Sequence, residues 1–173
     1  MRGLKFRSDF VTNSSSSSFI VGFKSEDSVK TKVGEVLKEY GKDYVDLVLG
    51  DIQNEERLSA KQVIEMISDK KFEDEETRRL CEYQRQHQDK SYRDTIKYFE
   101  NEGKAELDDI RQKIIAETEQ RIKDCGYNIF MSLEYGNDSS KWQQRNEKQH
   151  WIDSELETIM IDLPITLARL SYH

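Results

Sequence analysis

Apolar residues recur at two spacings along this chain, and each change of spacing marks a change of element. From Phe19 to Lys24 both sets of alternating side chains are apolar or small. That predicts a strand covered on both faces and central in its sheet. Tyr127, Ile129, Met131, Leu133 and Tyr135 alternate with mostly polar residues, predicting a half-buried strand over 127–135. Ile159, Ile161 and Leu163 alternate again, predicting a third strand over 158–163 that Pro164, the only proline, brings to an end. Ile165, Leu167 and Leu170 leave the tail apolar enough to dock.

Between these runs the period is helical. Ser25 is placed to cap a helix, with Glu26 and Asp27 against its N-terminal dipole. Val29, Val33, Val36, Leu37 and Tyr40 form its apolar stripe and Gly41 its stop. The short apolar run over 43–50 fits strand or helix. Ser59 to Gln62 spells a capping box, and Leu58 and Val63 have the spacing of a hydrophobic staple, so a helix runs from there to about Lys71. From Glu73 to Asp124 the chain is polar and helical, with a break near Gly103. Leu107, Ile110, Ile114, Ile115, Thr118, Ile122 and Cys125 make one stripe; Leu80, Tyr83, His87, Ile96 and Phe99 make a thinner one. Two antiparallel helices joined at Gly103 follow from this.

The predicted fold class is α+β: a small, about three-stranded, mainly antiparallel sheet with helices packed on it. One domain spans 1–173, with 73–125 as a helical hairpin insertion.

Composition narrows the function classes. Hydrophobic residues make up 35% of the chain and charged residues another 35%, so broad polar helix faces are expected. Net charge is -7, but residues 1–24 carry Arg2, Lys5, Arg7 and Lys24 against Asp9 alone, leaving the remainder strongly acidic. An acidic body disfavours nucleic acid, whose phosphates need clustered Lys and Arg. Cys81 and Cys125 form no paired motif, which excludes a zinc finger and a disulfide framework. No apolar run is long enough for a membrane span, and the N-terminus lacks a signal-peptide core. A cytoplasmic protein with free thiols, without a cofactor or metal, is expected.

Asn13 and the five serines Ser14, Ser15, Ser16, Ser17 and Ser18 form the most unusual stretch. Such residues form turns and offer hydroxyls and backbone N–H groups to an anion, with Arg7 close by in sequence. They also offer sites for phosphorylation, which adds about -1.5 to -2 charge per group. Asn13-Ser14-Ser15 matches the N-glycosylation pattern, relevant only to a secreted protein. Composition and nearness to the terminus favour a flexible polar leader; Phe10, Val11 and Phe19 weigh against disorder. The tract lacks the glycine elbow of a serine nucleophile and the Gly and Lys of a P-loop. The stretch from Lys5 through Phe10-Val11, Asn13 and the serines to Phe19-Ile20-Val21 resembles the opening of a group of bacterial and phage-type proteins. They share a basic residue, an aromatic–Val pair, Asn, a serine run and Phe. The resemblance implies a bacterium or one of its mobile elements, and brings no activity or catalytic residue with it.

Candidate chemistry elsewhere is sparse. His87 lies on the apolar side of its helix, where a satisfied, half-buried histidine is the ordinary reading. His150 beside Trp151, with Trp142 upstream, fits a loop site with an aromatic wall. His173 is terminal. The acidic run Glu73 to Glu76 suits a helix N-terminus. Glu134 and Asp162, at strand positions, would begin a two-metal carboxylate set but have no identifiable third member. The leading expectation is a non-enzymatic protein-interaction or regulatory module whose partner is another protein, nucleic-acid mimicry being a narrower version. The alternative is an enzyme or ligand-binding domain using Asn13 to Ser18 as an anion site.

Overall fold

A computed structural model describes residues 16–137 and 139–170. The sheet has three antiparallel strands in the order β2–β1–β3: β1 is Ser16–Phe23, β2 is Ile129–Gly136 and β3 is Thr166–Leu170. As the uniformly apolar run predicts, β1 is the central strand. It pairs from Ser16↔Gly136 to Phe23↔Ile129 on one side and from Ser18↔Leu170 to Val21↔Thr166 on the other. The register on the β3 side shifts between Ile20 and Val21, a bulge or irregularity. The α+β class with a small antiparallel sheet is therefore the observed one.

Helices cover both faces of the sheet. They are α1 (Glu26–Val36), α2 (Lys42–Asn54), α3 (Ala60–Gln86), α4 (Tyr92–Glu100), α5 (Lys104–Cys125) and α6 (Glu147–Ile159). Phe19, Val21 and Phe23 of β1, with Met131, Leu133 and Tyr135 of β2, pack against α1, α2 and α6. On the opposite face Ile20, Phe130, Leu167 and Leu170 meet Val63 and Ile67 of α3 and Ile122 of α5. The capping box at Ser59 forms, with Gln62 N–H donating to Ser59 Oγ at 3.2 Å. Leu58 and Val63 share the second core, as a staple requires.

Away from the sheet, α3 and α5 run antiparallel. Arg111 pairs with Asp69 at 3.0 Å and Arg79 with Glu106 at 2.8 Å. A third cluster, Leu80, Phe99 and Leu107, lets α4 close the far end. The arm thus contains three helices rather than two. Its first helix continues unbroken from Ser59: the polar run Glu73 to Glu76 sits mid-helix, with Glu73, Asp74 and Glu75 paired to Lys70, Arg78 and Arg79. The run over 43–50 is helical.

The predicted strand over 158–163 is corrected. Those residues finish α6 and form a 3-10 turn over Met160–Asp162; the third strand is the tail, Thr166–Leu170. The stripe Ile152, Leu156 and Met160, at four-residue spacing, is buried, whereas Ile161 is exposed, so helical periodicity prevails over the local alternation. Pro164 begins the turn that leads into β3, with Thr166 N–H donating to Leu163 O at 2.9 Å, a position proline favours.

Candidate functional site

The outward face of α6 forms the floor of an open cleft. Asn146 caps the helix, its Oδ1 accepting from Gln149 N–H at 3.0 Å and its own N–H donating to Gln149 Oε1 at 3.0 Å. With Ile152 and Leu156 buried, the helical period turns Trp151, Glu155 and Thr158 the other way. They line a cavity of about 760 Å³ together with Tyr40, Asn137, Trp142, His150, Ser154 and Ile159. Trp151 is 75% exposed.

Rings from two pairs line the cleft, Trp142 and His150 from one and Tyr40 from the other. Trp142, in a short 3-10 turn over Trp142–Gln144, stacks on His150 with centroids 4.0 Å apart and planes 9° from parallel. His150 Nε2 donates to the Trp142 carbonyl at 2.9 Å; a carbonyl only accepts, so this nitrogen carries the proton. Tyr40 packs against Tyr44 with ring centroids 5.9 Å apart, and the Tyr44 hydroxyl donates to the Glu155 carboxylate. That hydrogen bond, with burial and the Glu155 charge adding to it, pushes the Tyr44 phenol up to about 12. Ser154 Oγ donates to Asn137 Oδ1 at 2.8 Å and ties the end of β2 to the floor.

Directly behind the 3-10 turn lies a buried charge cluster. Arg145 Nη2 donates to both oxygens of Asp51, at 2.9 and 2.8 Å, and Nε to Asp153 Oδ2 at 3.0 Å. The other Asp153 oxygen accepts from Gly136 N–H at 2.7 Å. Lys141 joins Glu55 and lies 3.7 Å from Asp51. Burial raises the Asp153 carboxyl above its ordinary value, against the lowering effect of Gly136 N–H and Arg145. The Tyr135 phenol, fully buried with the Asp51 charge beside it, is pushed well up, and its hydroxyl makes no hydrogen bond of normal geometry. Every charged group here is committed to another, so the cluster joins α2, α6, the end of β2 and the 139–146 segment.

Trp142, His150 and Trp151, singled out from the sequence, therefore come together in one cleft. Of the serine tract, Ser16, Ser17 and Ser18 are residues of β1; Arg7, Asn13, Ser14, Ser15 and the terminal His173 lie outside the described residues. Ser17 is 1% exposed, and its hydroxyl donates to Glu157 Oε1 at 2.9 Å while accepting from Arg169 Nε and Nη2 at 2.9 and 2.7 Å. His87 ends α3, stacks on Tyr83 at 4.1 Å and donates from Nδ1 to the Tyr83 carbonyl at 2.9 Å. Glu134 accepts from Ser140 N–H at 3.1 Å, on the face of β2 away from Tyr135, and Asp162 sits in the 3-10 turn after α6, so the two do not converge. Among the described residues, no His, Cys, Asp and Glu side chains are grouped to hold a metal, and no helix is long and apolar enough to cross a membrane.

Sequence reading missed Tyr40 and Glu155. The stripe over α1 assigned Tyr40 to the core, but the helix ends at Val36 and the turn to Gly41, at φ 103°, swings the ring outward. It also missed the buried charges. Their one signal was an aspartate, Asp51, inside the apolar run Leu47 to Ile52. No family model matches the chain, and no curated protein or solved structure matches it either.

Proposed function

We propose that this is a non-enzymatic interaction module, encoded by a bacterium or one of its mobile elements, that docks another protein through the aromatic cleft on α6. The observation that carries the reading is Trp151, a large ring 75% exposed in a cleft where Trp142 and His150 are fixed by stacking and a hydrogen bond. Tryptophan and tyrosine are among the residues that most often dominate protein–protein binding energy. The origin rests on the resemblance of the opening stretch, and the acidic body favours a protein over a nucleic acid as partner.

Affinity capture from bacterial lysate tests it with three proteins: the parent, Trp151→Ala and Tyr92→Ala. Tyr92 is an exposed ring on α4, outside the cleft. A stoichiometric partner held by the parent and by Tyr92→Ala, and lost with Trp151→Ala, supports the reading. The same proteins recovered with Trp151→Ala, or none with the parent, refute it.

A further inference from the structure

We infer that the cleft takes a cationic side chain, an arginine or lysine presented by a basic segment of the partner. The inference rests on the docking reading above and adds the chemistry of the occupant. Three aromatic side chains, Tyr40, Trp142 and Trp151, line one cavity, and the negative face of an aromatic ring attracts a cation held over it. One side of Trp142 is closed by His150, which fixes that ring.

Charge points the same way. Among the described residues that line the cavity, Glu155 is the one carboxylate, held in place by the Tyr44 hydroxyl, and none is Lys or Arg. Glu39 and Asp162 stand close enough to Tyr40 to act on its phenol, which partial desolvation and then these charges raise. Most cations nearest in sequence are engaged: Lys42 with Asp46, Lys141 with Glu55 and Asp51, Arg145 with Asp51 and Asp153, and Lys148 with Asp43 at 2.6 Å. Lys38, two positions before Tyr40, is unpaired among the described residues but does not line the cavity. Among the described residues, a wide cleft with aromatic walls and an acidic edge therefore has no Lys or Arg in its lining. An extended basic segment supplies one, its aliphatic stem lying on Trp151 and its head against Glu155. The open shape and volume of about 760 Å³ suit a side chain on a peptide better than an enclosed small cation.

The test follows the indole N–H signals of Trp142 and Trp151 by NMR while a capped peptide with two arginines in a Gly/Ser background is added. Matched peptides carry citrulline or phenylalanine in place of arginine. The arginine peptide should move both signals saturably, and citrulline should weaken binding by about fivefold or more. Glu155→Gln should weaken it by about threefold, and Trp151→Ala should abolish it. Stronger binding of the phenylalanine peptide overturns the cation inference and leaves the docking reading standing. So does an arginine peptide that binds Trp151→Ala as well as the parent. If no peptide moves either indole while the parent still captures a partner through Trp151, the cation inference again falls alone.

Discussion

Arg145 Nε donates to the Asp153 carboxylate at 3.0 Å in a place where Asp153 has no solvent exposure. Through Nη2 the same guanidinium holds Asp51 on α2. The contact matters for the cleft because Arg145 follows the turn that carries Trp142 and precedes the cap of α6. Arg145→Met leaves buried Asp153 without its cation and Asp51 with Lys141 alone, at 3.7 Å, at a cost of about 3–5 kcal/mol. Urea unfolding measures it. Neutralising the carboxylates as well, in Arg145→Met/Asp51→Asn/Asp153→Asn, should recover a large part of the loss, because the desolvated charges then disappear together.

Phe19 is fully buried at the centre of the sheet and tilts against Tyr135 with centroids 6.3 Å apart. Phe19→Ala should destabilise by about 3–5 kcal/mol in thermal or chemical unfolding. That is a large fraction of an ordinary stability of about 5–15 kcal/mol. A variant as stable as the parent would mean that this ring does not anchor β1.

Two glycines give opposite results on the same substitution. A Cβ on Gly22 would sit 2.4 Å from Tyr127 Cδ2 and 3.2 Å from Leu167 Cδ1, so Gly22→Ala forces a ring to move and should cost about 1–3 kcal/mol. Gly34, inside α1, has nothing within 4 Å of that position. Gly34→Ala should stabilise by about 0.5–1 kcal/mol through helix propensity and a less flexible unfolded chain. Melting temperatures of the two variants compare them directly.

The Tyr44 phenol reaches about 12, chiefly through its hydrogen bond to Glu155. A folded value above the unfolded one, about 10, means that the folded protein holds this proton more tightly. The resulting stabilisation is complete below about pH 10 and is lost as pH climbs towards the folded value. Tyr44→Phe removes it. The stability difference between parent and variant should therefore shrink as pH rises above about 10, read from urea midpoints; a difference independent of pH would contradict the Tyr44–Glu155 contact.

Much of the architecture was legible because it follows from period. β1 showed itself by uniform apolarity, α3 by its capping box at Ser59, and β2 by alternation. The third strand was misplaced because Ile159, Ile161 and Leu163 happen to alternate inside a stripe whose true spacing runs Ile152, Leu156, Met160. The cleft was half legible. Trp142, His150 and Trp151 are close in sequence and announced an aromatic site, and Glu155 joins it one helical turn after Trp151 on α6, whereas Tyr40 reaches it only through the turn after α1. Buried pairs such as Asp51–Arg145, separated by 94 positions, leave no local pattern to read.

Site-directed photo-crosslinking tests the central claim, that the cleft is where a partner docks, most directly. With p-benzoylphenylalanine in place of Trp151, and in a second protein in place of Tyr92, irradiation in bacterial cells should give one dominant adduct from position 151 and none from position 92. Adducts from position 92 alone, or the absence of any from position 151, would contradict it.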